Sequence, residues 1–143
     1  MAAQTQPVAA GIVRRLIAML YEAFLLFAVM FFAGLAFRGA ASAALSGQTL
    51  HLFQLYLFLA VGLYFMWCWL RGGQTLAMKA WKLRLESAAG GPMTAAQALA
   101  RYLLAWISLA AAGTGFLWAL FDRDRQFLHD RIAGTRIVVA GVR

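Results

Sequence analysis

Glu22 lies inside an unbroken apolar run, Leu16–Phe37, and Arg15 stands seven residues before it. Seven residues is nearly two helical turns, so both side chains leave one face of a helix, about 10 Å apart along its axis. A carboxylate at the centre of a membrane helix costs roughly 2.5 kcal/mol or more, and such a group defaults to a functional role with a partner. Arg15 can extend its charge to the headgroups, whereas Glu22, two turns deeper, cannot. Glu22 then has two stable states, the neutral acid or the anion paired with a cation from another segment. A proton- or cation-coupled carboxylate behaves in this way. A packing clasp, with Glu22 hydrogen-bonded to a neighbouring helix and nothing transported, would use the same residues.

The remaining acidic groups cluster late in the chain: Asp122, Asp124 and Asp130, with His129 beside the last. Asp122 or Asp124 reads as the N-cap of a short helix that Gly134 ends, since Asp favours the cap and Gly the C′ position. Asp130 falls after the start of that helix, so its expected partner is a cation: Arg14, Arg15 or the basic stretch Arg71–Arg101. His129 and Asp130 alone supply too few ligands for a metal, and His51 belongs to the opposite side of a membrane, so neither metal nor cofactor is expected. Cys68, the single cysteine, allows no intrachain disulfide and implies no thiolate site. Gly72-Gly73-Gln74-Thr75 and Gly113-Thr114-Gly115 lack P-loop and dinucleotide spacing, and no serine sits in a nucleophile elbow. The chain does not read as an enzyme.

The elements that must position these groups are apolar. Of 143 residues, 64% are hydrophobic and 13% charged, against roughly 25% charged in a soluble domain. Lys and Arg outnumber Asp and Glu 13 to 5. Because the basic residues flank apolar runs, they are assigned to topology and anionic lipid headgroups and not to nucleic acid. Three runs organise a single domain: Leu16–Phe37, Leu50–Leu70 and Leu103–Phe121. The first two form a transmembrane hairpin, since about 20 apolar residues cross a ~30 Å hydrocarbon core. Tyr64, Trp67 and Trp69 are expected at the membrane interface. Met1–Ala10 lacks the basic start of a cleavable signal, and none is expected.

Arg14, Arg15, Arg71, Lys79, Lys82, Arg84 and Arg101 lie on one side of that hairpin and only Arg38 in its connecting loop, which places the N-terminus in the cytoplasm. Thr94 and Gln97, just after Pro92, have capping-box spacing and start the third segment. A full third crossing would carry the tail arginines Arg123, Arg125, Arg131, Arg136 and Arg143 outside, against the charge rule. A segment broken at Gly113-Thr114-Gly115 and re-entering the cytoplasm removes the conflict, and is preferred, provided protein or a wet cavity shields it. Trp81, Leu83 and Leu85 alternate with Lys82, Arg84 and Glu86, and Thr135–Val139 is rich in β-branched residues; two cytoplasmic strands could pair there, or the segments could be unrelated. The fold class is thus an all-α membrane protein, a hairpin plus a third apolar, broken or re-entrant helix, with short strand-like and helical pieces.

Three stretches resemble the RDD family of small bacterial membrane proteins: Arg14–Glu22, Gly73–Lys79 and Phe121–Thr135, which frame the chain from about residue 11 to 139. The family's name denotes an arginine at the start of the first membrane helix, an aspartate within it and a second aspartate. Arg15 matches the first, Asp130 the last, and Glu22 stands at the middle position with one methylene more. The resemblance implies an integral inner-membrane protein, with transport of unidentified ligands or sodium/proton antiport proposed for the family. A chain with so few membrane segments would need a homo-oligomer or larger partner to enclose a pathway. The two functions carried forward are an oligomeric transporter of a cation or small solute with Glu22 as coupling carboxylate, and a non-transporting accessory or scaffold protein that binds a partner or anionic lipid.

Overall fold

The computed structural model describes residues 10–40, 47–111, 113–123 and 126–141. Two long helices dominate it, α1 (Ile12–Ala40) and α2 (Gly47–Gly72). Both are long and apolar enough to cross a membrane, and each extends two to four residues past its apolar run at both ends. They run antiparallel: Phe37 meets Phe53 and Tyr56 near one end, and Tyr64 of α2 bonds Glu22 of α1 nearer the other. The expected loop between them is in part helix, and 41–46 lies outside the described residues.

After α2 the chain turns at Gly73, whose φ of +66° suits glycine and whose missing side chain matters. A Cβ there would sit 2.5 Å from the Leu85 carbonyl oxygen. The close approach lets Leu85 donate its N–H to the Gly73 carbonyl at 2.7 Å, while the Gln74 side chain donates to Leu83 O at 2.6 Å. Thr75 then caps α3 (Leu76–Ala80), accepting from Met78 N. The stretch with no phosphate-loop spacing is therefore a structural corner, tied to the strand that follows.

That strand, β1 (Leu83–Ser87), pairs antiparallel with β2 (Thr135–Val139), Leu85 opposite Ile137. The alternation of the sequence is expressed directly: Leu83 and Leu85 point into the core, and Glu86 faces Arg136 with a 3.9 Å ion pair. Of the two readings left open by the sequence, paired strands or unrelated segments, the structure shows the pair.

α4 (Ala95–Ala110) opens with the predicted capping box, Thr94 accepting from Gln97 N and Gln97 accepting from Thr94 N. It does not coincide with the third apolar run. It starts eight residues before Leu103 and stops at Ala110, where the chain reverses. Gly113 at φ +73° bonds back to Ser108 O, and a Cβ on Gly115 would collide with the Ser108 side chain, so α5 (Thr114–Leu117) folds against the end of α4. A 3₁₀ turn (Trp118–Leu120) and α6 (Leu128–Ile132) bring the chain back along α4, where Gln97 donates to Gly134 O at 3.0 Å. The third segment is broken at its glycines, and the start of α1, the end of α2, the start of α4, α6 and the strand pair all meet at one end of the hairpin.

Candidate functional site

Of the residues singled out in the sequence, Arg15 and Glu22 line one cavity of about 360 Å³, and Asp130 is held behind it by a third lining residue. α1 and α4 each pack on α2 but make little contact with one another, so the cavity is the cleft between them. Its wall is mainly apolar, with Leu26, Val61, Phe65 and Leu109 among its members. Arg15, Glu22, Thr75, Arg101 and His129 are the polar exceptions.

Glu22 occupies the α1 side. The Tyr64 hydroxyl donates to its Oε1 at 3.0 Å and the Thr75 hydroxyl donates to its Oε2. A cation from another segment is one alternative for its partner; the hydroxyls that meet it here fit the other, a hydrogen-bonded clasp to a neighbouring helix. Two hydroxyls satisfy one oxygen each, which joins α1 to α2 and to the cap of α3 in a single contact.

Arg15 corrects an expectation. It does not reach out to headgroups but is buried at 1% exposure and donates through Nη2 to Ile137 O of β2 at 3.2 Å. The strand pair lies across the start of α1 and covers the side chain. Asp122 is close enough for its charge to act on Arg15.

Asp130 is completely buried, and its partner comes from the basic stretch, as one of the alternatives had it: Arg101 of α4. Arg101 also donates to the Thr135 hydroxyl at 3.4 Å, and that hydroxyl donates to the Asp130 backbone carbonyl. The guanidinium lies 5.1 Å from the Trp69 ring, within cation–π range. Trp69, expected at the membrane interface, is therefore a core residue, buried against Phe65 and Arg101, and Tyr64 is turned to Glu22. Only Trp67 of the three faces outward, with Arg71 stacked over it at 4.0 Å. Spacing alone could not tell the three rings apart.

His129 adjoins Asp130, Nε2 to Oδ1 at 3.3 Å, and stacks flat on Phe127. Burial, reinforced by the Arg101 charge, lowers its pKa to about 3. The nearby carboxylate would draw a proton toward the imidazole, but Arg101 already takes up that negative charge, and desolvation wins. The imidazole is neutral.

Asp122 does not cap α6, whose N-cap is Phe127 without a side-chain bond. It instead accepts from Gln126 N at 3.0 Å and from Arg131, and so closes the loop ahead of the helix; Asp124 lies outside the described residues. Gly134 ends α6 as expected, at φ +65°. No group of three or more potential metal ligands occurs among the described residues.

A family model described as "RDD family" matches residues 9–134. No curated relative and no solved structure matches.

Proposed function

The chain belongs to the RDD family, and from that premise we propose that it is a multi-pass inner-membrane protein whose interhelical cleft binds a cation or small solute at Glu22. The observation that carries this reading is the placement of Glu22 on the wall of a cavity of about 360 Å³ between helices that could cross a bilayer. A carboxylate at that depth needs a reason, and a ligand-accessible wall supplies one.

The orientation in this reading follows the charges. The start of α1, the Arg71–Arg101 stretch and α6 share one end of the hairpin, and that end faces the cytoplasm. Its exposed basic residues, Arg14, Arg71, Lys79 and Lys82 among them, meet anionic lipid headgroups; nucleic acid has no part in it. No covalent chemistry is invoked, only binding and movement. Two long helices and a broken third leave a pathway open on one side, so movement across the membrane requires a homo-oligomer or a larger partner.

The accessory reading has its own observation: both Glu22 oxygens are already satisfied by Tyr64 and Thr75, as a helix clasp would be. One experiment separates the two. Proteoliposomes of the wild type and of Glu22→Gln are assayed for proton and sodium flux. Flux in the wild type that is lost in a folded, inserted Glu22→Gln supports transport. Absence of flux in both, with wild-type stability and cellular role for Glu22→Gln, supports the clasp.

A further inference from the structure

The two arginines on the wall of the cleft between α1 and α4 are engaged within the fold. Arg101 is ion-paired with Asp130, and Arg15 donates to Ile137 O within reach of the Asp122 charge. Glu22 is placed differently. It lies about two turns further along the cleft, and no described residue forms an ion pair with it. Its partners are the hydroxyls of Tyr64 and Thr75, one on each oxygen. A carboxylate offers about four acceptor sites, so both oxygens can still accept another donor.

The surroundings narrow what that donor is. Besides Glu22, only Thr75 and Tyr102 among the described lining residues carry a side-chain oxygen, and the Tyr102 hydroxyl is turned to Phe58 O at 2.7 Å. A hard metal cation takes about six oxygens and finds too few here. An organic cation needs only the open acceptor sites and an apolar wall for its body. Beyond Glu22 that wall is supplied by Leu26, one turn further along α1, and by Phe65, Trp106 and Leu109. A space of about 360 Å³, mainly apolar with few polar groups, has the make-up of a small-molecule site.

We propose that the cleft binds a lipophilic amine in its protonated form, the ammonium donating to Glu22 and the apolar body lying along Phe65, Leu26 and Leu109. This narrows the reading above, on which it rests, from a cation or small solute to an organic ammonium. Charge sets the direction of the occupant: its cationic end stops at Glu22, and its body extends away from Arg15 and Arg101. An N–H donor to a carboxylate makes a charge-assisted bond, which a neutral alcohol weakens and a quaternary ammonium cannot make. With the helices in a bilayer, the open side of the cleft faces lipid, the phase in which such amines concentrate. An aminophospholipid is a poor match, because its ammonium would bring a phosphate up against Glu22.

The test uses the full chain in phosphatidylcholine nanodiscs with tritiated 4-phenylbutylamine as the probe and empty nanodiscs as the blank. Competitors are the unlabelled amine, 4-phenylbutanol, 4-phenylbutyrate and the N,N,N-trimethyl derivative of the amine. Saturable binding is expected, displaced by the amine and at least roughly tenfold less well by each of the others, as befits loss of one charge-assisted contact. Exchange of potassium for sodium, or of part of the phosphatidylcholine for phosphatidylethanolamine, should leave it unchanged. Glu22→Gln keeps an acceptor and removes the charge, and should erase the preference for amine over alcohol. Ala105→Trp, which fills the cleft from α4, should abolish binding; Ala23→Phe does the same from α1 should the first variant fail to fold. Displacement by the alcohol, the acid or the quaternary derivative as effective as by the amine would overturn the proposal. So would competition by sodium or phosphatidylethanolamine, an amine preference that survives in folded Glu22→Gln, or unchanged binding in a folded cleft-filled variant. Two further measurements keep the readings apart. A protein with Glu22-dependent proton or sodium flux that binds no amine loses only this inference, and one that carbonate extracts from cell membranes loses the membrane placement itself.

Discussion

Thr75 and Glu22, 53 residues apart in the chain, are joined hydroxyl to carboxylate, while the same Thr75 oxygen accepts Met78 N–H at 3.2 Å. One side chain thus fixes the start of α3 and the carboxylate of α1 together. Thr75→Val keeps the shape and removes both bonds. It should lower stability by about 1–3 kcal/mol, since a buried acceptor is left unmet and a cap is lost. Thr75→Ser should recover most of that loss in thermal unfolding of the detergent-solubilised protein.

Glu22→Asp shortens the side chain by one methylene. The carboxylate then reaches Tyr64 or Thr75 but not both. A loss of about 1 kcal/mol is expected for the one bond given up. Tyr64→Phe in the wild-type background should cost a similar amount, and far less when added to Glu22→Asp if Tyr64 is the partner released. The double-mutant cycle by thermal melts checks this.

Asp130→Asn leaves the Arg101 charge buried with no counter-charge. Breaking a buried pair in this way costs roughly 3–5 kcal/mol. The paired replacement Arg101→Met with Asp130→Leu removes both charges and should be much milder than either single change. Expression level and melting temperature across Asp130→Asn, the two single changes and the double replacement decide the matter; single variants as stable as wild type would show the pair to be dispensable.

His129 gives a pH signature. Its folded pKa, about 3, lies below the ordinary 6.5, so the unfolded chain binds more protons across that window. Stability is then fully present above about pH 6.5 and falls as the pH drops toward 3, by on the order of 2 kcal/mol at pH 5. His129→Gln removes the titrating group. The difference in melting temperature between pH 7 and pH 5 should shrink in the variant, and an unchanged difference would assign the pH dependence elsewhere.

Single cysteines in a Cys68→Ser background test the arrangement of the ends. Ala89→Cys and Ile132→Cys, both at exposed positions, should react with an impermeant reagent from the same side of the membrane, and Gly47→Cys from the other. Labelling of Ile132→Cys with Gly47→Cys would mean a full third crossing.

Much of this architecture is legible in the residues. The two long apolar runs, the Thr94–Gln97 cap, the break at Gly113 to Gly115 and the strand alternation of Leu83 to Glu86 are local signals, each set by a few neighbours in sequence. Arg101 shows what is not local. On its own it reads as one more topology charge after α2. Its role appears only when the reversal after α4 brings Asp130 and Thr135 alongside, 34 residues from Thr135 in sequence. Tyr64 and Thr75 escaped for a similar reason, because hydroxyls are common and nothing in their spacing points at Glu22. Arg15 and Trp69 were assigned to the lipid interface by depth alone. Depth along a helix does not say which side faces the interior, where β2 covers Arg15 and where Phe65 and Arg101 pack on Trp69.

The pairing of β1 with β2 has a consequence for biogenesis. β1 leaves the ribosome well before Thr135–Val139, with α4, its reversal and α6 still to come. During that interval the edge of β1 has no ladder, Arg15 lacks the Ile137 carbonyl, and Arg101 lacks Asp130. Two cations thus enter the assembly before their acceptors exist, when they are most easily held by anionic headgroups at the bilayer surface. Closure of the sheet would draw both away from the lipid in one late, long-range step, the kind of contact that forms slowly and leaves an exposed strand edge while it waits.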